Sequence, residues 1–126
     1  MRVFKTRSFE RWASKASVTD VMLSNTVEQM ERGLIDADLG GNLFKQRLAL
    51  PGRGKSGGAR TIVATRFAGM LVFLYGYEKS ERDNIAKREL QLYQEIARVL
   101  LAMTEDEVAI AIALRKLTEV KHEPID

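Results

Sequence analysis

The sequence predicts an α+β fold: a small antiparallel sheet with N-terminal helices packed on one face, plus C-terminal helices. Three observations predict it. Apolar residues recur at helical spacing up to Gly33, switch to period two between Leu43 and Tyr77, and return to helical spacing beyond Ser80. Breaks at Pro51-Gly52 and Ala68-Gly69 divide the middle into three strands with short connections, which favours antiparallel neighbours. The 126 residues, 45% hydrophobic and 29% charged, suit a globular chain with one core. The expected organisation is a single domain over 1–126, with 104–126 a C-terminal helical extension.

Residues 2–6 alternate weakly and fit a short strand. Phe9, Trp12, Ala13 and Ala16 follow helical spacing. Ser17 or Thr19 can cap a second helix, because a hydroxyl accepts a free N–H of the first turn. That helix places Met22, Thr26 and Met30 on one face, with Leu23 and Val27 alongside, and stops at Gly33. From Leu43 to Leu50, Leu43, Lys45 and Arg47 face one way and Phe44, Gln46 and Leu48 the other. Arg53 to Gly58 reads as a flexible basic loop. Ala59 to Phe67 is rich in β-formers and puts Arg60, Ile62, Ala64 and Arg66 on one face. Met70 to Tyr77 is apolar almost throughout, as in a central strand covered on both faces. Ser80 with Asp83 resembles the start of a long helix carrying Ala86, Leu90, Tyr93, Ala97 and Leu100. Thr104 with Glu107 is a capping box for a last helix, 105 to about 120.

Composition removes several chemistries. Cys is absent and His occurs once, at His122. Disulfides, zinc–thiolate sites and thiol catalysis are excluded, and a paired-histidine ribonuclease, a Ser-His-Asp triad or a multi-histidine metal site is disfavoured. No apolar stretch reaches the ~20 residues of a membrane span, and the N-terminus lacks the apolar core of a signal peptide. A soluble, cytoplasmic protein that needs no metal or other cofactor is the expectation.

The net charge of +3 hides a segregation. Residues 1–15 are net +4 and residues 16–40 net −4. Residues 41–77 hold Lys45, Arg47, Arg53, Lys55, Arg60 and Arg66 with no carboxylate, and residues 81–126 are net −3. Ordinary surfaces mix both signs, so the middle stretch reads as a polyanion contact, with nucleic acid foremost. The alternative is a run neutralised by its acidic flanks.

Within that stretch Lys45 and Arg47 stand about 7 Å apart on one strand face, and hairpin pairing brings Arg60 across from them. Three cations on one face repel unless an anion arrives; otherwise they snorkel to the rim. Arg53-Gly54-Lys55-Ser56 lacks the Walker pattern, because Ala49 stands where its first Gly is needed and a strand follows where a helix should. It suits a loop on a nucleic-acid backbone, or an ordinary hairpin connection. Tyr75, Tyr77 and Lys79 share a face with Phe73. Aromatics beside cations can stack on bases for about 1–3 kcal/mol each; Phe73 itself reads as core. Asp36 and Asp38 are a carboxylate pair without a third ligand, which favours a turn over a divalent metal. Trp12 reads as a core anchor, and the apolar last helix as packing or a partner surface, including that of a dimer.

Together, Asp36–Gly41, Leu43–Arg47, Gly52–Arg60, Phe73–Lys79 and Ser80–Ile85 resemble the toxin component of RelE/HigB-type bacterial type II toxin–antitoxin pairs, in the Gly-Lys-Ser-Gly-Gly-x-Arg branch of the RelE/ParE superfamily. The similarity covers roughly residues 4–103. It implies a RelE-like α+β fold that enters the ribosomal A site and cleaves mRNA, and a cognate antitoxin as partner. It also implies a site of lysines, arginines and a tyrosine in place of histidine. By position these are Lys45, Arg47, Arg60, Lys79 and Tyr75 as catalytic residues, with Arg53, Lys55, Arg66 and Tyr77 as RNA contacts. Ala59 stands where the family usually carries an aromatic, and Tyr77 where Phe is common. On this expectation Lys45 or Lys79 moves the proton of the attacking 2′-OH, since a lysine crowded by cations can become a base. Arg60 stabilises the phosphate charge. The competing readings are a non-catalytic basic module for nucleic acid or protein, and a gyrase-targeting ParE-like toxin.

Overall fold

The computed structural model describes residues 1–52 and 54–123, with backbone alone for residues 54–57. The elements in chain order are β1 (Arg2–Thr6), α1 (Arg7–Lys15), α2 (Asp20–Glu31), β2 (Ala37–Gly40), β3 (Leu43–Leu50), β4 (Gly54–Thr65), β5 (Met70–Glu78), α3 (Lys87–Leu101), α4 (Glu105–Ala113) and β6 (Leu117–Val120). The strands form one six-stranded sheet in the order β2-β3-β4-β5-β1-β6. β3, β4 and β5 run as an antiparallel meander. β1 is parallel to β5 and antiparallel to β6, so the sheet is mostly antiparallel and the fold α+β.

Both faces are covered. The Thr6 side chain caps α1 and the Thr19 side chain caps α2, each accepting a first-turn N–H. Gly33, at φ +86°, releases the chain from α2. These helices bury Phe9, Ala13, Leu23, Val27 and Met30 against Phe44, Leu48, Val63, Leu71 and Phe73. α3 and α4 cover the opposite face, where Ala97, Leu101, Val108 and Ala111 meet Phe4, Leu43, Ile62, Val72 and Leu74.

Four local expectations change. α3 starts after Ala86 rather than at Ser80, because the Glu89 carboxylate accepts the Ala86 N–H at 2.9 Å and supplies the capping contact there. The last helix ends at Ala113, and residues 117–120 are not helical: they pair with β1, burying Leu117 and Val120. The C-terminal segment is therefore a helix and an edge strand rather than a helical extension. β2, four residues long, is too short to show a period in sequence. β4 begins at Gly54, opposite Leu50; the register then shifts and regular pairing resumes with Ala59 opposite Leu48, so residues 54–58 are an irregular stretch of strand and not a loop.

The change that matters most lies in β5. Ile62 pairs with Tyr75 but its neighbour Val63 pairs with Phe73, which leaves Leu74 as the extra residue of a β-bulge. Strict alternation would put Phe73, Tyr75 and Tyr77 on one face. The bulge separates them. Phe73 packs on Phe9 beneath α1, with ring centroids 5.2 Å apart, while Tyr75 and Tyr77 belong to the opposite face. Gly76 then faces α1, under the Trp12 ring. A Cβ built on Gly76 would lie 2.3 Å from Trp12 Cε3, closer than any side chain tolerates.

Gly76→Ala should therefore destabilise the fold by about 1–3 kcal/mol, the usual cost of overpacking. Urea unfolding measures this, and adding Trp12→Leu to the same chain should recover part of the loss.

Candidate nucleic-acid interface

Two rows of side chains cross β3, β4 and β5. Lys45 pairs with Ile62 and Ile62 with Tyr75; Arg47 pairs with Arg60 and Arg60 with Tyr77. Adjacent strands stand about 4.8 Å apart, so Arg60 is flanked directly by a second arginine and a tyrosine. The sheet thus brings together Lys45, Arg47, Arg60, Tyr75 and Tyr77 from the expected set. Lys79 follows the end of β5 and is exposed; its backbone N–H donates to the Gly58 carbonyl at 3.1 Å. Arg53 and the side chain of Lys55 lie outside the described residues.

Arg66 is not part of this group. It follows the far end of β4, six residues and about 20 Å along the strand from Arg60, and its guanidinium donates to the Leu101 carbonyl at the C-terminus of α3. There it satisfies an orphan carbonyl and the negative end of the helix dipole.

The cations are held very differently. Arg60 is buried, 6% exposed, and donates to the Ala59 carbonyl at 3.1 Å. The Arg47 side chain is 58% exposed and donates through Nε to Asp36 Oδ1 at 3.1 Å. Lys45 Nζ donates to Asn84 Oδ1 at 3.1 Å. Asp36 and Asp38 do not act as a pair. Asp36 faces the arginines, while Asp38 Oδ1 accepts the Gly40 N–H at 2.9 Å and shapes the turn before β3. Among the described residues no group of three or more His, Cys, Asp and Glu side chains gathers as a metal site would require.

Residues 79–86 and α3 add groups that the sequence reading left without roles. Arg82 donates to both Glu89 oxygens, at 2.5 and 3.2 Å, and to the Tyr75 hydroxyl at 3.1 Å. Its guanidinium lies over the Tyr75 and Tyr77 rings, 5.8 and 5.5 Å from their centroids. Tyr93 stacks on Tyr75 at 5.5 Å. Glu89 thus serves twice, capping α3 and fixing Arg82. The only earlier signal for Arg82 and Asn84 was their place in the Ser80–Ile85 motif; for Tyr93 it was the apolar face of α3.

Tyr77 is the more buried tyrosine, 2% exposed, while Tyr75 is half-buried among Tyr77, Tyr93 and Arg82. Burial pushes the Tyr77 phenol up, against the pull of Arg60 and Arg82; burial raises Tyr93 likewise. The hydrogen bond from Arg82, helped by the Ala86 N–H, holds the Glu89 carboxyl below the ordinary range. Ala59 is fully buried toward α1 and α2, so the residue before Arg60 faces away from the cations. An aromatic there would enlarge the core and would not stack on a base.

His122 lies elsewhere, its ring nitrogens bonded to Ser24 at 2.7 Å and Glu31 at 2.8 Å on α2. Among the described residues no helix is long and apolar enough to cross a membrane.

The family model described as "RelE toxin of RelE / RelB toxin-antitoxin system" matches residues 1–120. No curated protein matches the chain.

The Arg82–Glu89 pair gives a signed pH dependence. A carboxyl whose folded-state value is depressed adds stability above its unfolded value, and that stability is lost as pH falls through the folded value. The stability gap between wild type and Glu89→Gln should thus be full at neutral pH and close once pH drops below the ordinary carboxylate range. Urea unfolding at a series of pH values measures it; a gap independent of pH contradicts the pairing.

Proposed function

The chain belongs to the RelE toxin family, the toxin half of a toxin–antitoxin pair, and from that premise we propose that it is an endoribonuclease that arrests translation by cutting mRNA on the ribosome. A cognate antitoxin is its protein partner. The observation that carries the reading is the row Arg47–Arg60–Tyr77 beside Lys45, backed by the half-buried Tyr75–Tyr93 stack.

Cleavage through the ribose 2′-OH needs three things: the hydroxyl in line with phosphorus, a moved proton, and stabilised charge on the phosphate. Arg60 supplies the charge. It is buried and offers a planar, cationic fork to two phosphate oxygens. Arg47, largely exposed, reaches the entering strand. Lys45, steadied by the neutral Asn84 amide, moves the 2′-OH proton. Lys79, exposed beyond β5, and Lys55 contact flanking phosphates. Tyr75, half-buried between Tyr93 and Arg82, offers its exposed edge to the nucleotide and keeps it in line. In this reading the cations do the neutralising that a divalent ion does in other nucleases.

No group with an intrinsic pKa near 7 stands among the described residues of the cluster. Rate then comes from alignment and charge more than from proton transfer, and alignment is what a ribosome-held mRNA provides. The purified protein should cut naked RNA weakly.

Expression without the antitoxin should arrest growth and create new 5′ ends within mRNA. Arg60→Ala should lower cleavage about 10²–10³-fold, the usual cost of removing a transition-state donor, and Arg60→Lys should recover only part of it. A thermal melt of each variant separates lost chemistry from lost fold. Growth arrest with intact transcripts, or with DNA breaks in their place, would overturn the proposal.

A further inference from the structure

Arg47 and Arg60 are direct cross-strand neighbours, a like-charge pairing that is unfavourable by itself. Asp36 relieves it. One carboxylate oxygen accepts from Arg47 Nε at 3.1 Å and the other stands 3.9 Å from Arg60 Nε. The backbone that carries the carboxylate is itself fixed. The buried Gln46 side chain accepts the Asp36 N–H at 3.1 Å and donates to the Leu34 carbonyl at 2.8 Å, stitching residues 34–36 onto β3. The Asp36 side chain is only 17% exposed.

A carboxylate and a phosphodiester both present a pair of anionic oxygens, and a guanidinium fork accommodates either. Asp36 therefore sits between the two arginines as a bound phosphate would. We propose that Asp36 is a built-in stand-in for the RNA phosphate: it holds Arg47 and Arg60 in register in the free protein and is displaced when RNA enters. The inference rests on the RNA reading above and adds a regulator to that site. It divides the two arginines by task. Arg60, with its side chain 8% exposed, stays in place and receives the phosphate, while Arg47 swings from Asp36 to the incoming strand. Asp36 is a positioning residue, and the affinity of the site for RNA is what remains after its carboxylate has been outcompeted.

The probe is a labelled 2′-O-methyl RNA oligonucleotide, which cannot be cut through a 2′-OH, with binding followed by fluorescence anisotropy across a salt series. Asp36→Asn keeps the shape and removes the charge. It should bind roughly tenfold more tightly at low salt, the scale of one charge-assisted contact set free. Its plot of log affinity against log salt should steepen by about 0.7, one further phosphate's worth of counterion release from a single strand. Asp36→Glu, which restores the anion, should return the slope to that of wild type. A role confined to holding the fold together would weaken binding and leave the slope unchanged. Wild-type binding with an unaltered affinity and slope in Asp36→Asn overturns this proposal alone; no binding by either protein overturns it together with the RNA reading. Should Asp36→Asn fail to fold, the Arg47 Nε–H resonance of the wild type decides. It shifts on saturation with the oligonucleotide if Asp36 is displaced, and an unmoved resonance on a bound complex overturns the idea.

Discussion

The bulge at Leu74 is the constraint on which the site depends. One unpaired residue reverses the alternation of β5 between Phe73 and Tyr75. Above the bulge, β5 sends Phe73 into the core under α1; below it, the same strand sends Tyr75 and Tyr77 to the face that carries Lys45 and Arg60. Without the bulge both tyrosines would point into the N-terminal helices and the arginines would lack their aromatic wall. Gly76 completes the device. The reversed phase turns that position toward Trp12, where no side chain fits, so the residue that allows the helix to sit close and the residue that reverses the strand lie two positions apart.

The second organising fact is that charge in this region is compensated locally. Asp36 stands between Arg47 and Arg60 and Glu89 holds Arg82, while Lys45 has only a hydrogen bond to the neutral Asn84 amide. A cluster of uncompensated cations would strain the sheet; the carboxylates of Asp36 and Glu89 relieve that repulsion. The graded exposure of Arg60, Arg47 and Lys79 fits a surface with a fixed centre and a yielding rim. The single His122 lies away from this cluster and ties the segment after β6 to α2.

Much of this was legible from residue order. Period two in residues 43–50 assigned Lys45 and Arg47 to one face and Phe44, Gln46 and Leu48 to the other, as found, because β3 is buried unequally on its two sides. Of Ser17 and Thr19, the two candidate caps for α2, Thr19 is the one that forms, and Thr104 caps α4, each through a local hydrogen bond. What escaped notice depends on distant partners. β6 becomes a strand because β1 offers it an edge, a contact more than a hundred residues away in sequence. The bulge is set by pairing, not by composition: Phe73 to Tyr77 reads as uninterrupted alternation until the neighbouring strand is in place. Arg66 follows the strand that carries Arg60, yet the far end of a twelve-residue strand is another neighbourhood. Asp36 reads as part of a turn because its partners are eleven and twenty-four residues ahead.

The position of β1 carries a consequence for synthesis. Its inner neighbour is β5 and its outer neighbour is β6, the final strand. A polypeptide made from its N-terminus can assemble the β3–β5 meander from contacts close in sequence, but β1 waits with an open edge until residues 117–120 have emerged. Unpaired edges are templates for other chains. The nascent protein thus keeps an edge open to wrongful association, and available to a strand offered by another polypeptide, until residues 117–120 reach β1.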